Sequence, residues 1–69
     1  MKQHFIIKGI DVTGEVIHQN KLSKKVLFKC HSINGIDNTN EFFKRAYRGL
    51  VNRSMNPALI PLSIIAEKS

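Results

Sequence analysis

Strand-like alternation fills the first half of this chain, and helical periodicity enters only after residue 40. Phe5 and Ile7 share one parity while Ile10 and Val12 share the other. The switch falls at Lys8-Gly9, which predicts a bulge or bend within a first strand from Phe5 to Val12. Thr13-Gly14 gives a turn signal, and a second short strand follows from Glu15 to Gln19. The polar link Asn20-Lys21-Leu22-Ser23 suits a hairpin and leads into a third strand from Lys24 to Ser32. There Val26, Phe28 and Cys30 take one face, and Lys25, Leu27, Lys29 and His31 the other. A link this short predicts antiparallel pairing.

Ile33-Asn34-Gly35-Ile36-Asp37 reads as a loop, after which Asn38 and Glu41 have the spacing of a capping box. At about 100° per residue, Phe42, Phe43, Ala46, Tyr47 and Leu50 fall within one apolar arc. Lys44, Arg45, Arg48 and Asn52, with Glu41 among them, occupy the opposite arc. Arg53 lies near the apolar arc, where its stem would cover the edge of the core and its charge would suit the helix C-terminus. Asn56-Pro57 ends the helix. From Ala58 to Glu67, Ile60, Leu62, Ile64 and Ala66 alternate with Leu59, Pro61, Ser63 and Ile65. Pro61 cannot donate to a ladder, so this strand lies on an edge or pairs only after the proline.

The pattern predicts a single α+β domain over residues 1–69, in the order β-β-β-α-β. It would be a two-layer structure, a mainly antiparallel sheet with one amphipathic helix on one face. One helix covers one face, yet Ile17, Leu27, Leu59 and Ile65 point to the other. Two explanations compete: a covering partner, most simply a second copy of the chain or another protein, or a strongly curled sheet that turns some of these residues inward.

Charge sharpens the picture by where it sits. The chain carries +6 on 69 residues, and residues 1–20 and 54–69 each sum to zero. The excess lies between Lys21 and Arg53, where eight cations face only Asp37 and Glu41. A local field of this kind favours polyanions: the phosphate backbone of DNA or RNA, or an acidic protein surface. Lys21, Lys24, Lys25, Lys29 and His31 mark the hairpin and its strand, and Lys44, Arg45 and Arg48 the helix. No helix-turn-helix, zinc finger or paired aromatic strands point to base-specific readout.

Candidate chemistry is sparse. Cys30 is the single cysteine, which excludes an intramolecular disulfide and fits a reducing compartment. No signal peptide is evident at the N-terminus, and no run approaches the roughly 18 apolar residues of a membrane span. The expectation is a cytoplasmic protein. Cys30 and His31 are neighbours on a strand and point to opposite faces, so they cannot chelate one ion together, and no metal or other cofactor is expected. Gly49 inside the helix suggests close approach of helix to sheet. A metal-free RNA-cleaving site would need His18 or His31 to meet Arg45, Arg48 or Tyr47 at a phosphate. The favoured reading is non-enzymatic: a small regulator that binds nucleic acid, or a nucleic-acid-processing complex, through Lys21, Lys24, Lys25, Lys29, Lys44, Arg45 and Arg48. The alternative is a viral or mobile-element type of inhibitor that occupies a host enzyme's surface, with Ile17, Leu27 and Ile65 as its apolar anchor.

Overall fold

The computed structural model describes residues 2–67 and shows an α+β fold, mostly antiparallel sheet with one helix. Strand β1 (Gln3–Ile7) pairs with β2 (Ile10–Asn20) through a two-residue turn, Ile7 standing opposite Ile10. Lys8 and Gly9 have φ of 53° and 77°, both in the left-handed region that such a turn demands. The parity switch is therefore a hairpin turn and not a bulge, because a two-residue turn resets alternation as a bulge does.

Thr13-Gly14 makes no turn. Both residues lie within β2, where the register against β3 (Lys25–Ile33) shifts. Gly14 is buried, and a Cβ on it would run into the Lys29 carbonyl oxygen and the Phe28 ring. The glycine there serves close packing between strands. Asn34 and Gly35, with φ of 48° and 84°, form a second two-residue turn into β4 (Ile36–Asp37), with Ile33 opposite Ile36. The expected loop is thus a hairpin, as Asn-Gly between apolar residues favours.

Helix α1 (Phe43–Val51) begins without the predicted capping box. Phe42 is the N-cap and makes no side-chain capping bond. The chain is led in by Asp37, whose Oδ1 accepts bonds from the Thr39 amide and hydroxyl, and by Asn40, whose Oδ1 accepts from the Phe42 amide at 2.9 Å. Asparagine and aspartate carry out this local bonding readily, which leaves Asn38 and Glu41 without the role expected of them.

Two short strands complete the sheet: β5 (Ala58–Pro61) pairs with β3, and β6 (Ile65–Glu67) pairs with β1. They hold opposite sides of the β3-β2-β1 ribbon, yet only the 3₁₀ turn Leu62–Ile64 separates them. Leu62 N–H donates to the Lys24 carbonyl at 2.9 Å, and Lys8 N–H donates to the Ile64 carbonyl at 3.2 Å. The turn is thereby stitched to both hairpin ends, and the sheet must curl. Asn56 extends the β5 edge: its Oδ1 accepts from the Cys30 amide and its Nδ2 donates to the Cys30 carbonyl, each at 2.9 Å. β5, this amide and β4 together satisfy successive stretches of one side of β3.

The concave side of the curl holds the core, in which Ile7, Val12, Val26, Phe28, Cys30 and Ile60 meet Phe43, Tyr47 and Leu50 of α1. Phe5 meets Phe28 edge to face at 5.2 Å, and Phe43 stacks on Tyr47 at 5.6 Å. Ile65 stands opposite Ile7 and packs against this core, so it does not share the outer face with Leu27 as expected. Curling accounts for part of the apparent apolar excess; Ile17 and Leu59 remain exposed, on either side of half-buried Leu27.

Candidate nucleic-acid interface

The core face of α1 fixes which side chains reach solvent. With Phe43, Tyr47 and Leu50 buried, the helical repeat turns Lys44, Arg45 and Arg48 outward. Among the described residues, none of these three has a carboxylate within ion-pair distance. Phe42 joins them: it is 56% exposed and lies outside the core to which its angular position assigned it. Periodicity fixes angles around a helix axis but not where the helix begins. Gly49 also faces solvent, and a Cβ there would meet nothing within 4 Å, so close approach to the sheet is not its reason.

The helix ends at Asn52, whose left-handed φ of 55° reverses the chain while its N–H donates to the Arg48 carbonyl at 2.7 Å. Arg53 is exposed beside Arg48, and its charge acts on the phenol of buried Tyr47. Arg48, Asn52, Arg53, Ser54 and Met55 surround an open hollow of about 420 Å³. Arg48 belongs both to the helix face and to this hollow, which makes the two one surface. The sequence contained the residues of the hollow, but only the reversal at Asn52 brings the second arginine back to the first.

The hairpin cations form a separate group. Lys21, Lys24 and Lys25 are exposed around a tip ordered by Asn20, whose Oδ1 accepts from the Leu22 and Ser23 amides at 3.0 and 3.2 Å. Lys29 is half-buried and stands opposite Glu15, whose Oε1 lies 3.7 Å from His31 Nε2. Lys25 and Lys29 face outward while the neighbouring Val26, Phe28 and Cys30 face the core shared with α1. The helix and strand cations therefore lie on opposite sides of β3. Of the seven predicted contacts, Lys44, Arg45 and Arg48 come together; Lys21, Lys24 and Lys25 form the tip; and Lys29 joins the Glu15 cluster.

Cys30 and Tyr47 are buried away from these surfaces. Burial pushes the Cys30 thiol up to about 11, while its Sγ donates to the Ser32 carbonyl at 3.4 Å. Burial, with Cys30 adding to it, pushes the Tyr47 phenol up to about 12. His31 faces Glu15 on the outer side of β3 and Tyr47 lies in the core, so these two do not meet as a metal-free RNA-cleaving site built on them would need. Among the described residues, no three His, Cys, Asp or Glu side chains are grouped so that they could hold a metal ion. No described helix is long and apolar enough to cross a membrane. Comparison with known proteins finds no matching family model, no matching curated protein and no matching solved structure.

Proposed function

We propose that this chain is a non-enzymatic nucleic-acid-binding protein that holds the phosphate backbone on the outer side of α1. The observation that carries the reading is the set Lys44, Arg45 and Arg48, with no carboxylate within ion-pair distance among the described residues, extended by Arg53 at the hollow. Cations with no carboxylate partner among the described residues are free to exchange their counterions for phosphates. The hairpin cations Lys21, Lys24 and Lys25 add to the long-range field that draws a polyanion in. Lys29, opposite Glu15, contributes least. Phosphate contacts position a polymer without reading its sequence, so binding has little base specificity.

A salt titration with random-sequence DNA or RNA tests this. Affinity falls with salt at a log–log slope of about −0.7 to −0.9 for each phosphate contacted. Reversing both Arg45→Glu and Arg48→Glu flattens that slope by about 2 and abolishes binding at moderate salt. Absence of binding at low salt and tens of micromolar protein, or unchanged affinity in the double variant, overturns the reading.

A second reading rests on a different surface. Leu27 lies between His18 of β2 and Leu59 of β5 in register, with Ile17 at the adjacent register shift; Ile17 is 51% and Leu59 48% exposed. This patch, rimmed by Lys25 and Lys29, would anchor an acidic protein surface or a second copy of the chain. Ile65, opposite Ile7 of β1, packs against the core and does not line this patch. Ile17→Asp and Leu59→Asp then reduce the mass seen by light scattering, or the capture of a partner, with the fold intact.

A further inference from the structure

We infer that the helix face takes single-stranded nucleic acid, with one base stacked on Phe42 and the adjoining phosphates held by Arg45 and Arg48. This rests on the nucleic-acid reading above and adds the form of the polymer. Phe42 is an aromatic ring left in solvent at the edge of a cationic surface, three residues ahead of Arg45. Residues three and four apart are neighbours on a helix, so Phe42, Arg45 and Gly49 form one stripe with Arg48 alongside it. The stripe offers a flat apolar plane, then a guanidinium, then bare backbone at Gly49. Glycine in mid-helix costs stability, and no packing among the described residues requires it at this position. An uncovered backbone beside Arg45, at the end of the stripe, leaves room for a sugar and phosphate to approach.

The aromatic ring decides between the forms of the polymer. Bases in a duplex are stacked on one another and present no free π-face, so Phe42 would gain little from a double helix. Unpaired bases do present one, and aromatic stacking beside a cationic track is the common device for binding single strands. Duplex readers place a helix in the major groove with polar side chains aimed at base edges. Here the exposed side of a nine-residue helix carries lysine, arginines, glycine and, at its start, phenylalanine.

The test compares a labelled single strand of about 12 nucleotides with the corresponding duplex. Phe42→Ala weakens single-strand binding roughly five- to hundred-fold and leaves duplex binding within about twofold, because one stacked base carries that share of the affinity. Since Phe42 packs outside the core, unchanged circular dichroism and melting establish that the variant is folded. The chain has no tryptophan, so Phe42→Trp introduces a single indole whose emission is quenched as a base stacks on it. Equal weakening of both polymers by Phe42→Ala, no weakening of either, or an indole unmoved at saturating single strand overturns the inference while leaving the phosphate reading in place. Failure of the unaltered protein to bind either polymer at low salt overturns both.

Discussion

The sheet and the outer side of α1 use the same residue types to opposite ends. In the sheet, Gly14 is buried where a side chain would strike the Lys29 carbonyl and the Phe28 ring; on the helix, Gly49 lies in open space. Lys29 stands opposite Glu15, whereas Lys44, Arg45 and Arg48 have no carboxylate beside them among the described residues. Phe28 is fully buried edge-on to Phe5, and Phe42 projects into water. Packing explains Gly14 and Phe28, and Lys29 stands opposite Glu15 and acts on its charge; nothing comparable among the described residues explains the second set. Residues that cost the fold something and give it nothing in return are the ones left for a ligand, and here they share one side of one helix.

The comparison breaks most sharply at the buried glycine. Gly14→Ala forces β2 away from β3 at the point where their register shifts, and overpacking of this kind costs about 3 kcal/mol, a large share of the stability of so small a domain. Urea denaturation measures the loss. A variant as stable as the parent would mean that the β2–β3 contact is loose and that Gly14 is as dispensable to the fold as Gly49.

These distinctions were unevenly legible in the sequence. Period-two alternation placed Val26, Phe28 and Cys30 inward and Lys25, Leu27 and Lys29 outward, because a half-buried strand has no other way to bury its apolar set. The switch at Lys8-Gly9 was visible, but a bulge and a two-residue turn produce the same change of parity. Thr13-Gly14 carried a turn-like composition for a reason local sequence cannot express, namely the Phe28 ring on the neighbouring strand. Phe42 was assigned to the core by its angle alone, although Asn40 starts the helix one residue beyond it. Among the cations the types and positions were evident, but their division between the outer side of β3 and the outer side of α1 follows from strand register and the reversal at Asn52.

Where α1 meets the sheet, pH gives a second test of how tightly the core side is closed. Burial raises the Tyr47 phenol from 10.0 to about 12, and Cys30 beside it acts in the same direction. A group whose pKa is higher in the folded state contributes stability that is fully present below its unfolded pKa and is lost as pH rises through its folded one. Between pH 10 and about 12 the fold therefore loses the stability this group contributes. Tyr47 is the only tyrosine, so phenolate absorbance reports it without ambiguity. Ionisation near the ordinary value in the folded protein would show that water reaches the ring and that α1 is less closely seated than its sheet contacts indicate.

The smallest effect has the opposite sign and isolates the helix surface. Gly49→Ala adds a methyl group that meets nothing in the chain and removes the entropic cost of glycine in a helix, so stability rises by about 1 kcal/mol. In a domain of this size that corresponds to a melting temperature higher by about 4–8 °C. Affinity for a single strand falls in the same variant, because the methyl group covers the bare backbone beside Arg45 where the sugar–phosphate chain would approach. Stability and binding thus move apart at one residue, which a glycine retained for packing cannot produce. A melting temperature that fails to rise would place Gly49 with Gly14 among the residues the fold itself requires, and a rise with undiminished binding would remove the backbone at Gly49 from the interface while leaving its arginines in place.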